Sequence, residues 1–228
     1  MKRVLLTLAM IGMLVSCRTL TQDERTFLET IYQTDVARRP VDLAAVHVSC
    51  LTSSEDEARR EIHQRIKSDL RSGTIKIRQA SYDAAQLSEA ASSSLLSGNG
   101  LTIGNNIYFK DEFCAVNLAA GYPTYQDIHL LARLAHEIMH VWQFQNSKIT
   151  GYSFLRIAIE RISLGEAAYD YKPLQPGRPF LAYRFEQQGQ IVEDYVVYAH
   201  TNPAEAARYR RLISKALDID AMIASLQH

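Results

Sequence analysis

One five-residue segment, His136-Glu137-Ile138-Met139-His140, has the residue types and the spacing of a metal site. On an α-helix, side chains four residues apart lie one turn apart on the same face, so both imidazoles can reach a single ion. Zinc accepts such nitrogen ligands, and the glutamate between them can take a proton from a metal-bound water. The segment therefore predicts a zinc site with His136 and His140 as ligands and Glu137 as general base.

The residues around this motif favour a helix. Thr124 and Asp127, just after Pro123, have the form of a capping box at a helix N-terminus. Apolar residues then recur at helical spacing, and neither proline nor glycine interrupts the run before Gly151. The alternative is a buried helix whose histidines only make hydrogen bonds, but it gives two imidazoles and a carboxylate no evident role. We therefore favour the metal site.

The N-terminal segment has the features of a bacterial lipoprotein signal. After a basic start, the apolar run from Val4 to Val15 is shorter than the roughly 20 residues that cross a bilayer as a helix. It ends in Leu14-Val15-Ser16-Cys17, which matches the lipobox, a motif whose cysteine is acylated and becomes the mature N-terminus. An ordinary secretory signal in which Cys17 is incidental is the alternative.

Acylation of Cys17 would anchor the protein to a membrane and leave the rest of the chain outside the bilayer. Arg18 follows the cysteine at the position where an aspartate favours retention in the inner membrane of Gram-negative bacteria. The sequence thus predicts a protein of the cell envelope, lipid-anchored to the outer membrane and facing the periplasm.

With residues 1–17 assigned to the signal, residues 18–228 are enough for a single domain with a hydrophobic core. The 25 basic and 25 acidic residues of the sequence balance, and no basic cluster follows the signal, so nucleic acid is not an expected partner. In an oxidising compartment, Cys50 and Cys114 are compatible with a disulfide or with two buried thiols. Neither has the spacing of a zinc finger.

The remaining pattern predicts a mainly helical α+β fold. A strand-turn-strand unit is expected over residues 101–109, with a Gly-Asn-Asn turn. Short strands are expected over residues 43–48 and 75–77, whereas residues 88–100 are compatible with a loop or a helix of small residues. Amphipathic helices are expected over residues 21–34, 55–70, 152–164, 185–199 and 203–226.

Two stretches together resemble a known family. They are Leu101-Thr102-Ile103-Gly104-Asn105-Asn106-Ile107-Tyr108-Phe109 and Leu134-Ala135-His136-Glu137-Ile138-Met139-His140-Val141-Trp142-Gln143. This pairing is similar to a bacterial zinc-metallopeptidase domain of Vgr- and Rhs-related proteins and of the core-domain proteins of extracellular contractile injection systems. The resemblance implies a zincin-like fold, with a small β-sheet or hairpin beside the active-site helix, and a metallopeptidase site. It does not define a substrate.

A tetrahedral catalytic zinc site takes three protein ligands and a water, so a third ligand is needed. No histidine lies between Val141 and Gly151, and the ligand must therefore come from a more distant segment. We choose Glu186, because it lies on a carboxylate-rich helix face and its Glu-Gln-Gln segment resembles one in the Vgr-related proteins. Glu166 and Glu193 remain alternatives.

Residues around the ligands would have supporting roles. Asp194 is a candidate for holding a ligand histidine by its free N–H, and a solvated helix charge is the alternative. Four side chains are candidates for a hydrogen-bond donor to the oxyanion, and the sequence does not choose among them: Tyr169, Tyr171, Tyr183 and His200.

These expectations lead to two hypotheses of different kinds. The first is an envelope-anchored zinc metallopeptidase that hydrolyses a peptide or protein substrate, with Glu137 activating the zinc-bound water. The second is an envelope lipoprotein that binds zinc without catalysis and acts as a binding or assembly module. Glu137 favours the first, because a structural site has no need of a base. A zinc amidase acting on peptidoglycan is compatible with the predicted location, although no residue indicates it.

Overall fold

The computed structural model describes residues 17–32, 41–72, 84–124 and 127–217. The predicted signal upstream of Cys17, the strand expected over residues 75–77 and the end of the last predicted helix lie outside these ranges. The described strands are β1 (Arg18–Thr19), β2 (His47–Cys50), β3 (Gly100–Ile103) and β4 (Asn106–Phe109). The described helices are α1 (Gln22–Tyr32), α2 (Leu51–Arg71), α3 (Ala84–Leu95), α4 (Ile128–Gln145), α5 (Ser147–Thr150), α6 (Phe154–Leu164), α7 (Phe185–Thr201) and α8 (Pro203–Leu217).

The predicted mainly helical α+β class is confirmed, because in the described part of the chain helices surround a small four-stranded sheet. The strand order is β1-β2-β4-β3; β2 and β4 are parallel, and the other two pairs are antiparallel. The predicted hairpin is β3 and β4, joined through Gly104, whose positive φ of 65° suits a residue without a Cβ. Among the described strands, β1 and β3 are therefore the two outer ones.

Each face of the sheet packs against its own hydrophobic cluster. Because side chains alternate along a strand, Ile107 and Phe109 of β4 point to one face and Tyr108 points to the other. The first cluster adds residues from α1, α4, α7 and α8, and the second adds residues from α2, α3 and α6. α2 places its apolar face, Ala58, Ile62 and Ile66, fully out of solvent. The metal-motif helix α4 belongs to the first cluster and borders the sheet.

Several predicted element boundaries are wrong, and α2, for example, begins at Leu51 rather than at residue 55. α4 begins at Ile128 because Asp127, rather than Thr124, is its N-cap, and the Asp127 carboxylate accepts hydrogen bonds from the first turn of the helix. The strand expected over residues 43–48 starts later, since Leu43–Ala45 form a 3₁₀ turn before β2.

The structure also decides between the alternatives that the sequence left open for residues 88–100 and for the pair Cys50 and Cys114. The small-residue segment before β3 contains helix α3, so the helical alternative was the better one. Cys50 and Cys114 form a disulfide with their Cα atoms 5.5 Å apart, which joins the end of β2 to the segment after β4. None of the described helices is long and apolar enough to span a bilayer.

Candidate metal centre

His136 and His140 lie on the face of α4 that packs against α7, and Glu137 points towards β3. His136, Glu137 and His140 are almost fully buried. The two helices approach closely at Gly189 of α7, where a Cβ atom would lie only 2.7 Å from Nε2 of His136. A residue without a side chain is therefore required at this point of α7.

Glu186, on the first turn of α7, meets the two histidines. The Nε2 atoms of His136 and His140 are 3.2 Å apart, and Oε2 of Glu186 lies 3.5 Å from the first and 3.3 Å from the second. All three side chains are buried, and together they form a group that could hold a metal ion. The structure thus brings together the three residues that the sequence nominated as ligands.

The two alternative carboxylates lie elsewhere. The side chain of Glu166 is 90% exposed and is 3.6 Å from Arg161, away from the two histidines. Glu193 lies on the far side of the His136 ring, where its Oε2 is 3.0 Å from Nδ1. Neither shares the space between the two Nε2 atoms.

Gln143 holds the His140 ring, and Gln188 in turn holds Gln143. Nδ1 of His140 is 2.9 Å from Oε1 of Gln143, an acceptor, so Nδ1 carries the proton and Nε2 keeps its lone pair. The amide of Gln143 in turn donates to Oε1 of Gln188 and to the carbonyl of Phe185, both on α7. Sequence reasoning missed this pair, although Gln143 follows His140 by three residues and so shares its helix face.

His136 is flanked by the carboxylate of Glu193. Their contact, between Nδ1 and Oε2, is close although not well aligned for a hydrogen bond, and Glu193 also lies 3.1 Å from the guanidinium of Arg133. The negative charge of a carboxylate this close to Nδ1 favours a proton on that nitrogen, which leaves Nε2 free to bind a metal.

The role predicted for Asp194 is wrong. Its carboxylate pairs with Lys172 at 2.8 Å and accepts hydrogen bonds from the hydroxyl of Tyr171 and the amide of Gln190. One step along a helix turns a side chain by about 100°, so the neighbour of Glu193 points away from the histidines. The carboxylate beside the ligand is Glu193.

Charge in the site explains the direction of the pKa shifts. Burial alone would lower the pKa of His136, but the carboxylates of Glu186 and Glu193 outweigh it and raise the pKa to about 9. Burial likewise lowers the pKa of His140 while Glu186 raises it, with a net increase. Burial would raise the pKa of Glu186, yet the two histidines hold it well below its usual range.

These shifts indicate a site that attracts positive charge. Two Nε2 lone pairs and a carboxylate oxygen converge, and they repel one another unless a proton or a cation lies among them. Imidazole nitrogen and carboxylate oxygen are ordinary ligands of divalent transition metals. The donor set therefore fits a metal ion, with His136, His140 and Glu186 as the ligands.

Glu137 lies in the same cleft and is held from β3. Its Oε2 accepts a hydrogen bond of 2.7 Å from the hydroxyl of Thr102. Its Oε1 lies against Gly100, where a Cβ atom would be 2.4 Å away. A side chain at position 100 would therefore displace the Glu137 carboxylate.

Among the four tyrosine and histidine candidates, only Tyr169 lines this cleft, with its ring centroid 5.9 Å from that of His136. The hydroxyl of Tyr171 contacts Tyr209, and that of Tyr183 accepts a hydrogen bond from the backbone of Gln175. His200 contacts a backbone carbonyl near the end of α7.

Sequence reasoning also missed Arg161, a buried cation of α6. Its guanidinium stacks over the ring of Tyr169 at 4.7 Å, and its Nε is 4.0 Å from Oε1 of Glu186. Nothing in the sequence marks this arginine, because its role depends on the fold bringing its side chain close to Glu186.

The cleft that these residues line has a volume of about 20 Å³, which is enough for one water-sized group.

No known protein family matches the chain, and neither a curated protein nor a solved structure is detectably similar to it.

Proposed function

We propose that this protein is a zinc-dependent hydrolase of peptide bonds. The observation that carries the proposal is the triangle of His136, His140 and Glu186, with Glu137 in the same cleft. Tetrahedral ligands at the usual zinc distances of about 2.0–2.1 Å are separated from one another by roughly 3.3–3.4 Å. The separations of 3.2, 3.3 and 3.5 Å agree with that spacing.

The order of the elements around the site supports the same proposal. Helix α4 supplies two histidines and a glutamate, a later helix supplies the third ligand, and the edge strand β3 lies beside the helix. This is the arrangement implied by the resemblance to the Vgr- and Rhs-related metallopeptidase domain. Glu137 is not one of the three converging side chains, and Thr102 holds its carboxylate in the cleft; a purely structural site would have no need of such a base.

Bound zinc would lower the pKa of a coordinated water and polarise the carbonyl of the substrate. The carboxylate of Glu137 is placed to take a proton from a water in the cleft and would pass it to the nitrogen of the leaving amine. The hydrogen bond from Thr102 fixes one carboxylate oxygen and leaves the other, beside Gly100, available for the proton.

Tyr169 is the donor for the developing oxyanion. Burial and the charge of Glu186 raise the pKa of its hydroxyl, so it keeps its proton and can donate. Arg161 holds the ring from beneath by its cation–π contact and adds positive charge to the cleft.

We also propose the envelope location indicated by the lipobox. Cys17 is exposed, as acylation requires, and it immediately precedes β1. The enzyme would thus act on peptides or proteins in the periplasmic space.

The decisive experiment measures zinc content and hydrolysis together in the protein from Arg18 onward. Wild-type protein is expected to bind about one zinc per chain and to hydrolyse casein or the peptides of peptidoglycan. Glu137→Gln should keep the zinc and lose hydrolysis. A wild type that binds zinc and hydrolyses neither substrate would instead be the binding module, and zinc retained by a His136→Ala/His140→Ala double variant would refute the site.

A further inference from the structure

The residue after the predicted acylation site is part of the folded domain. Arg18 belongs to β1, which pairs with β2 through Val48. Its two terminal guanidinium nitrogens each donate to one carboxylate oxygen of Glu24 at 2.8 Å, and one of them also donates to the carbonyl of Ala115 at 3.0 Å. Arg18 is therefore fixed on both its backbone and its side chain.

The ion pair with Glu24 makes it unfavourable for Arg18 to leave the folded domain. Its side chain is completely buried, and it also accepts hydrogen bonds from the backbone N–H groups of Thr21 and Leu118. If Arg18 left, a buried carboxylate would lose its only ion-pair partner among the described residues, and this is strongly unfavourable. The first strand is thus held to the domain by a buried ion pair.

No flexible linker therefore separates the acylation site, Cys17, from the folded domain, which begins at Arg18. Consecutive Cα atoms are only about 3.8 Å apart. Val116 follows Ala115, whose carbonyl accepts a hydrogen bond from Arg18. Its side chain is 64% exposed and is one of two large hydrophobic side chains that are exposed in the described part of the chain. We propose that the surface formed by Cys17, Arg18 and Val116 lies directly on the lipid bilayer. The inference rests on the acylation of Cys17 in the proposed function.

Membrane contact at this surface has a consequence for the substrate. Gly100 of the cleft pairs with Phe109, which pairs with Cys50, and these residues lie at the same end of the sheet as Cys17. β1 and β3 are separated by three strand spacings, which amount to roughly 14 Å. The cleft therefore lies close to the bilayer, and the substrates are peptide segments exposed near the membrane surface.

The test uses full-length protein purified from membranes and reconstituted in phosphatidylcholine vesicles with brominated acyl chains, which quench tryptophan on contact. The sequence has one tryptophan, the buried Trp142, so added tryptophans can be read against the wild type. Val116→Trp places the probe beside the anchor. Lys148→Trp is the matched control, because Lys148 is exposed and lies beyond the end of α4 that contacts the opposite end of the sheet.

The tryptophan added at position 116 is expected to lose most of its fluorescence in these vesicles, and the one at position 148 to lose none. A flexible Gly-Ser insertion of about twenty residues between Cys17 and Arg18 should abolish the quenching, since the domain is then free to leave the surface. Equal quenching at the two positions, or quenching that survives the insertion, would overturn the proposal.

Two further measurements test the acylation of Cys17 and the zinc site separately from the membrane contact. Radioactive palmitate should label the wild type and not Cys17→Ser. If the wild type is not labelled, both the lipid anchor and the membrane-contacting surface are wrong. Zinc content and hydrolysis of the protein from Arg18 onward report the metal centre and do not depend on the membrane.

Discussion

Oε2 of Glu193 lies 3.0 Å from Nδ1 of His136, while the carboxylate of the next residue, Asp194, pairs with Lys172 on another side of α7. The two adjacent carboxylates therefore offer a matched comparison. A carboxylate that orients a ligand histidine raises its basicity, and its loss typically weakens metal binding by roughly 10- to 100-fold. Glu193→Gln is expected to weaken zinc binding by this amount.

Asp194→Asn is the control and is expected to leave zinc affinity unchanged, although it can lower stability by removing the contact with Lys172. Competition with a chromogenic chelator measures both affinities. A larger loss of affinity in Asp194→Asn than in Glu193→Gln would show that the orienting role had been assigned to the wrong residue.

Gly189 provides a test of how closely α7 must approach α4. Gly189→Ala places a Cβ atom 2.7 Å from Nε2 of His136, so either the ring or the helix must move. The expected result is a loss of zinc binding with retained helical content by circular dichroism. Gly98→Ala, whose Cβ atom has ordinary contacts of 3.4 and 3.5 Å, should bind zinc as the wild type does.

The sequence was sufficient for the parts of this site that depend on local geometry. The spacing of His136 and His140 fixes their shared face on any helix, and Glu186 was found because it lies on an unusually polar face of a predicted helix. The Gly-Asn-Asn motif likewise predicted the β3–β4 hairpin, which places Thr102 next to Glu137.

The rest depends on how the helices pack. Choosing between Glu193 and Asp194 required the rotation of α7 about its axis, and a polar face wide enough to include both carboxylates does not define that rotation. Arg161 reaches the cleft only because the packing of α6 against α2 and α3 brings its side chain close to Glu186. Likewise, no pattern in the sequence reveals that Gly189 touches His136, because the contact joins residues of two separate helices.

The raised pKa of His136 predicts how the stability of the metal-free protein varies with pH. A histidine with an ordinary pKa of 6.5 and a folded-state pKa of about 9 stabilises the fold fully below pH 6.5, and this contribution is lost as the pH rises through 9. The shift corresponds to a loss of up to about 3 kcal/mol in the free energy of unfolding. The lowered pKa of Glu186 acts only in acid, where protonation would remove its contribution.

Urea unfolding in the presence of a chelator, at pH values from 6 to 9, measures this loss. His136→Asn lacks the titrating group and is expected to show a flatter profile. With saturating zinc the trend should reverse, because metal binding requires neutral imidazoles and competes with protons. A chelated wild type whose stability does not fall between pH 6.5 and 9 would contradict the prediction.

Glu186 and Glu166 can be distinguished by one pair of substitutions. Glu186→Gln removes the carboxylate that lies 3.3 and 3.5 Å from the two Nε2 atoms, and zinc affinity should fall by more than the roughly 10- to 100-fold typical of residues that only orient a ligand. Glu166→Gln alters a side chain that is 90% exposed and should not change zinc affinity. The reverse order of effects would exchange their roles.

Tyr169 is the last residue whose role can be isolated, because its hydroxyl is not needed for the metal. Removing one oxyanion donor typically lowers kcat by roughly 10²- to 10³-fold, so Tyr169→Phe should reduce peptide hydrolysis by about this factor while zinc content stays at the wild-type level. The effect should appear in kcat rather than in KM, since the hydroxyl stabilises charge that develops only in the transition state. Tyr183→Phe removes a hydroxyl that accepts a hydrogen bond from the backbone N–H of Gln175, so it should lower stability without changing kcat. If Tyr169→Phe hydrolyses peptides at the wild-type rate, the cation–π contact with Arg161 is a packing interaction only, and the positively charged guanidinium beside Glu186 becomes the remaining candidate for stabilising the oxyanion.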